Sequence, residues 1–295
     1  MMDNEQKGVL LSILSSVFLG LNVIFGKLLS DVVNAETTLV LWFMFASILY
    51  ITYFVFSGKR KSFETIIKNW RQIIKIGILS TFGSLLWIYG IMYAGPNNVS
   101  FIFQFNIIFA TLLGVIFLKE RFKKIEIFGI LLAIIGVFVL TYNNSETSLI
   151  AISFILTSAF FYSISNFLSK NYVKKINPVT LSGGRAIFIF LLISIYALVS
   201  GKFQLSISPV AFEYALLAAI SGAFLGFTLF YKALEKIKMT KCIVLRTVEP
   251  FLTIIFSFLI LSIIPTVNQL LGGFLIIIGI IILSLYGNKN FKVEK

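Results

Sequence analysis

Apolar runs of about 17 to 22 residues, the length that carries a helix across about 30 Å of hydrocarbon, recur ten times along this 295-residue chain. They lie near 9–29, 39–56, 73–93, 99–118, 127–142, 149–167, 181–199, 212–231, 242–261 and 267–286. No motif constrains the fold as strongly. Inside a bilayer every backbone N–H and C=O must find its partner within the chain, and a run of this length does so as a helix. A hydrophobic fraction of 58% with only 13% charged residues, and a mean hydropathy of +0.98, extend the conclusion to the whole chain. The expected fold is an all-α polytopic membrane protein with ten transmembrane helices.

The basic residues test that count, because Lys and Arg collect in cytoplasmic loops. With the N-terminus inside, Lys7 falls inside, followed by Lys59, Arg60, Lys61, Lys68 and Arg71 and then by Lys119, Arg121, Lys123 and Lys124. Lys170, Lys174 and Lys175, then Lys232, Lys236, Lys238 and Lys241, and finally Lys289, Lys292 and Lys295 complete the inside set. The five outward loops hold only Lys202. Both termini are therefore expected in the cytoplasm and the chain in the cell membrane. The net charge of +13 reads as this bias plus attraction to an anionic leaflet, with no nucleic-acid partner required. The flank "MMDNEQKG" carries two acids against one lysine, and the first run contains Asn22 and Lys27. That run reads as a retained helix, not a cleaved signal.

Histidine is absent and Cys242 is the single cysteine. An internal disulfide is excluded, and neither a metal centre nor a cofactor is expected. The longest loop, 57–72, is too short for a soluble domain, and no phosphate-cradling glycine loop followed by Lys-Ser/Thr occurs. No close pair of acids lies in the apolar runs. An intramembrane enzyme is not expected.

An internal repeat divides the chain. "FGILLAIIGVFVL" from Phe128 overlies "LGGFLIIIGIIIL" from Leu271, with Gly129 on Gly272 and Gly136 on Gly279 at one offset. "WIYGIMYAG" from Trp87 overlies "LFYKALEKI" from Leu229, and Asn22 falls near Asn166. The units are 1–146 and 147–295. Each holds five runs, an odd number, so the second enters the membrane inverted, and inverted repeats place a site near the midplane between them.

"FLKERFKKIEIFGILLAIIGV" in the first half, and "EPFLTIIFSFLIL" followed by "PTVNQLLGGFLIIIGI" in the second, resemble the EamA-type transporters of the drug/metabolite transporter superfamily over essentially the whole chain. Two positions depart from that pattern: Ile107 stands where proline is frequent, and "LSIIPT" lacks the usual acid. The resemblance implies a secondary transporter, commonly an exporter of amino acids or other small metabolites. It also implies a central cavity lined by the first, third, fourth, sixth, eighth and ninth spans.

Glu249 lies about nine residues inside the ninth run, roughly 13 Å deep at 1.5 Å per residue, beyond the reach of bulk water for a short carboxylate. Pro250 removes a backbone hydrogen bond beside it. Arg246 sits three residues away on the same helical face. Two readings of this pair stand side by side. The pair either neutralises itself and joins helices, or it offers Arg246 to a carboxylate and Glu249 to an amine or a coupling proton. Asn106, the repeat mate of Glu249, and Gln104, Asn22 and Asn166 are substrate-binding or helix-joining amides. Trp87, Tyr89, Tyr162 and Tyr231 fall on cavity spans of the family, although aromatic packing is common in a chain with 32 phenylalanines. Arg185, about one turn inside its run, is expected to snorkel to the interface and be structural. The candidate substrate-binding set is Glu249, Arg246, Asn106, Gln104, Asn22, Trp87, Tyr162 and Tyr231. The expected activity is export of amino acids or related zwitterions by a monomer in a lipid bilayer. The alternative is an organic cation held by aromatic faces and Glu249.

Overall fold

The computed structural model describes residues 3–118, 124–141 and 148–287, and these are helical almost throughout. Lys119, Arg121, Lys123, Lys289, Lys292, Lys295 and the boundary between the expected repeats lie outside the described residues.

The first half contains α1 (Asn4–Val32), α2 (Ala35–Phe56), the short α3 (Lys61–Lys68), α4 (Trp70–Ile102), α5 (Phe105–Leu118) and α6 (Lys124–Thr141). The second begins with α7 (Leu149–Tyr172), α8 (Pro178–Val199) and α9 (Pro209–Ala218), which continues through a π-helical stretch, Ala219–Gly226, into α10 (Phe227–Lys236). Then α11 (Met239–Leu245) passes through a 3-10 turn, Arg246–Val248, into α12 (Glu249–Leu261), and α13 (Val267–Gly287) closes the fold. Among the described residues, seven helices are long and apolar enough to cross a membrane, and Ile127–Leu140 and Val267–Ile282 are shorter apolar helices.

Polar residues between the apolar runs start the helices. Asp3 accepts from the Gln6 N–H at 2.6 Å while the Gln6 side chain accepts from the Asp3 N–H at 3.1 Å, a reciprocal cap that serves two otherwise orphaned donors. Asn34 accepts from the Thr37 N–H at 2.9 Å to begin α2. Asn177 caps α8 with Pro178 in its first turn, where the missing N–H costs nothing.

The third and fourth runs separate at Gly95, between 93 and 99 as the hydropathy suggests. Helical hydrogen bonding continues to Ile102, but two helices meet at a kink at Gly95, whose φ of 75° is a left-handed value that glycine adopts without a Cβ clash. Pro96 then starts the next turn with its fixed φ. The break that divides the fourth run falls later, at Phe103–Gln104.

Those breaks are shared by the two halves. The offset that carries Gly129 onto Gly272 carries α2 onto α8 end for end and the first residue of α6 onto that of α13. It also carries the segment after Gly95 onto α11 and the Phe103–Gln104 break onto the 3-10 turn. Ile107 occupies the position of Pro250, so the first-half break forms without a proline. Packing obeys the same exchange. Helix α1 packs on α10 and α12 as α7 packs on α4 and α5, α2 pairs with α8, and α6 pairs with α13.

The repeat-marking glycines are packing residues. A Cβ on Gly136 would lie 2.7 Å from the Gly272 carbonyl oxygen, and one on Gly279 2.7 Å from the Ala133 nitrogen, so α6 and α13 touch backbone to backbone. Hydroxyls join the remaining helices: Ser12 donates to the Cys242 carbonyl at 2.7 Å and Ser15 to the Gly226 carbonyl at 2.8 Å.

Candidate functional site

Pro250 cannot donate to the carbonyl of Arg246. That oxygen accepts instead from the Glu249 N–H, which tightens the turn to 3-10 geometry. The tightened turn brings the two charged side chains together. Arg246 donates through Nη2 at 2.7 Å and Nε at 3.2 Å to Glu249 Oε2, and both residues are 5% exposed. The Arg246 guanidinium also lies 4.8 Å from the Phe230 ring centroid, where the π face favours a cation.

The pair borders a cavity whose other walls are Leu19, Asn22, Trp42, Trp87, Phe103, Tyr162, Asn166 and Phe227. The walls come from both halves and from six helices or breaks, so the cavity exists only once the repeats have docked. Its free volume for water centres is about 30 Å³, room for a few waters and too little for an amino acid.

Of the residues expected at the site, Glu249, Arg246, Asn22, Trp87 and Tyr162 line this cavity. Asn22 also joins helices, donating through Nδ2 to the Ala218 carbonyl at 3.1 Å where the π-helical stretch begins. Tyr162 shares a 2.7 Å hydrogen bond with Ser84, and the Trp87 ring lies 5.9 Å from that of Trp42.

Asn106, Gln104 and Tyr231 are not among the cavity-lining residues. Asn106 is buried with Oδ1 unpaired; its side chain is one methylene shorter than that of its mate Glu249. Gln104 folds back on the preceding turn, 3.4 Å from the Ser100 carbonyl. Tyr231 accepts from Ser169 at 3.0 Å and ties α10 to α7.

Arg185 overturns the expectation of snorkelling. It is 1% exposed, its Nε donating to Ser80 at 2.8 Å and its Nη2 contacting the Tyr162 hydroxyl at 3.4 Å. Its guanidinium carbon stands 3.8 Å from the Phe227 centroid. The physical reason is that the guanidinium is held inside the bundle by Ser80, the Tyr162 hydroxyl and the face of Phe227, partners that an interfacial position would forfeit.

Trp42, Phe103 and Phe227 are cavity residues that inspection of isolated polar positions misses. A signal for Phe103 was present, since the repeat offset places it on Arg246. The same offset places Trp42 on Arg185.

Away from the cavity, a polar cluster ties the start of α2 to the segment after α8. Glu36 is 3% exposed and accepts from Tyr89 at 2.8 Å and from Lys202 at 3.1 Å. The hydrogen bond and charge of Glu36 hold the Lys202 ammonium above the ordinary lysine range. Asn34 donates to the Lys202 carbonyl at 2.7 Å, and Thr37 accepts from the Gln204 N–H at 2.9 Å.

Against known proteins, the description "EamA-like transporter family" matches this chain twice, over residues 6–142 and 149–285. An uncharacterized transporter of Archaeoglobus fulgidus is 26% identical over 227 residues, covering 76% of this chain and 72% of that protein. The S-adenosylmethionine uptake transporter of Rickettsia conorii is 25% identical over 291 residues, covering 97% and 94%. One solved crystal structure superposes with a TM-score of 0.70 at 13% identity, over 95% of this chain and 98% of that one, a likeness of fold.

Proposed function

Because this chain belongs to the EamA-like transporter family, we propose that it is a secondary transporter of amino acids or related zwitterions, working by alternating access around the cavity between two inverted five-helix repeats. In this reading the repeats occupy 1–146 and 147–295. Ten helices cross the cell membrane, both termini are cytoplasmic, and the protein acts as a monomer.

The observation that carries the reading is the buried Arg246–Glu249 pair, held on a broken helix at the wall of a cavity that both halves build. A buried ion pair is costly to desolvate, and an intramembrane pair facing a cavity is by default functional. Substrate binding exchanges one pair for two: the carboxylate takes the fork of Arg246, and Glu249 turns to the amine. Asn22, Trp87 and Tyr162 complete the walls. In this reading the small volume belongs to an occluded or empty stage of the cycle, with expansion required for loading. Glu249, released from Arg246, is the group available to carry a coupling proton. Export is the direction the family commonly serves.

The aromatic walls supplied by Trp42, Trp87, Phe103 and Phe227 support a second reading, an organic cation. S-adenosylmethionine, for whose uptake the Rickettsia conorii relative is named, joins both chemistries, since it carries an α-amino acid group and a sulfonium. Thermal stabilisation of the purified protein by amino acids, organic cations and sugar phosphates, repeated with Glu249→Gln, separates the two. Stabilisation by an amino acid that the variant loses supports the first reading. Stabilisation by organic cations alone replaces it with the second, and ligand binding indifferent to the variant makes the pair structural. Counterflow in proteoliposomes then gives direction.

A further inference from the structure

Two arginines are fully enclosed among the described residues, Arg246 and Arg185. Arg246 has Glu249. Arg185 has no carboxylate within ion-pair distance among the described residues. Its surroundings are neutral: Ser80, the Tyr162 hydroxyl and the faces of Phe227 and Tyr162, the latter 5.7 Å from the guanidinium carbon. Guanidinium carries five N–H donors and cannot lose its proton, so these contacts leave both charge and donors in excess.

The location makes that excess matter. Phe227 and Tyr162 are themselves cavity walls, which puts Arg185 one side chain behind the cavity surface. Trp42, its counterpart under the repeat offset, lines the cavity directly with a buried Nε1 that meets no acceptor. Among the described residues, the charged groups at and directly behind the cavity wall are thus two guanidiniums and one carboxylate. A neutral zwitterion leaves that imbalance in place, and a cation enlarges it. A substrate with one additional negative group cancels it in a medium where uncompensated charge is expensive.

We infer that Arg185, behind Phe227 and Tyr162, is a second anion-recognition site of this cavity, and that the preferred substrates are zwitterions carrying an additional carboxylate, with net negative charge. This deepens the preceding proposal and rests on its assignment of Arg246 and Glu249. Phe227 opens α10 directly after the π-helical stretch, and displacement of its ring on loading brings the guanidinium to the substrate.

The test uses the purified full chain and two pairs of probes that differ by an acid-to-amide change, L-glutamate against L-glutamine and succinate against succinamate. Affinities are read by thermal stabilisation. The wild type is expected to favour L-glutamate over L-glutamine by about tenfold or more, with succinate favoured over succinamate. Arg185→Gln should bring both ratios close to one, and Arg185→Lys should keep part of each. A wild type without acid preference, or without stabilisation by any of the four, overturns the inference. So does a preference that survives Arg185→Gln. If that variant does not fold, ratios unchanged in both Arg185→Lys and Tyr162→Phe overturn it equally. The underlying zwitterion assignment fails separately, when glutamate and glutamine binding ignore Glu249→Gln while the succinate ratio still responds to Arg185.

Discussion

Arg246 and Glu249 meet at 2.7 Å across one 3-10 turn, a geometry that Pro250 favours because it cannot donate to the Arg246 carbonyl. The turn thus holds the two buried side chains together. Removing either partner alone strands a buried charge. Arg246→Met is expected to destabilise the protein by about 3 kcal/mol, whereas Arg246→Met with Glu249→Leu recovers most of that loss. Thermal unfolding in detergent measures both. If the pair also binds substrate, the double variant is stable and inactive in proteoliposomes; a stable, active double variant would leave the pair a structural role only.

The α6–α13 contact predicts a different kind of damage. A side chain at Gly136 collides with the backbone of Gly272 and Ile276 as well as with the Ile276 side chain, so Gly136→Val should cost roughly 1–3 kcal/mol through overpacking. Ligand preference should be unchanged, since this contact lies outside the cavity walls. A lowered unfolding temperature with an altered probe ranking would contradict that separation.

At the polar cluster beside α2, Glu36 is buried and Lys202 is half exposed. Glu36→Leu leaves the Tyr89 hydroxyl without its acceptor, and Lys202→Met leaves the buried Glu36 carboxylate without its cation, so each is expected to lower the unfolding temperature. The raised folded pKa of Lys202 means its contribution is complete below the ordinary lysine range. It fades only as pH rises through the raised value. Titrating unfolding temperature from pH 6 to 9 should therefore show no step that Lys202→Met removes.

Cys242 is fully buried, 0% exposed, and is the only cysteine. A maleimide should leave the folded wild type unmodified and label it after denaturation, which makes this chain its own background for single-cysteine scanning. Cysteine introduced at Lys202 should label from outside intact cells and cysteine at Lys59 only after permeabilisation. The reverse pattern would overturn the proposed orientation.

Much of this architecture is legible in the residues, for physical reasons that differ by level. Apolar run lengths report helices because hydrocarbon leaves the backbone no other partner. The constant offset between Gly136 and Gly279 reports the repeat because at both places an added Cβ would meet backbone atoms of the facing helix. Asn106 shows where such reading stops: depth along a helix is encoded locally, but whether a side chain reaches a cavity depends on its length and on the facing helices. Arg185 shows the same limit from the other side. Its distance from the end of its run allowed an escape to the interface, but Ser80, Tyr162 and Phe227 hold it inside the bundle.

Composition, run spacing and the three-residue separation of Arg246 from Glu249 thus specified a helical membrane protein in two related halves, with these two residues adjacent, because these are properties of short segments. The placing of Trp42, Phe103, Tyr162 and Phe227 around that pair, with an unneutralised guanidinium behind them, belongs to the docking of the halves. Contacts between residues more than a hundred positions apart leave no periodicity in the chain, and only the packed helices bring them within reach.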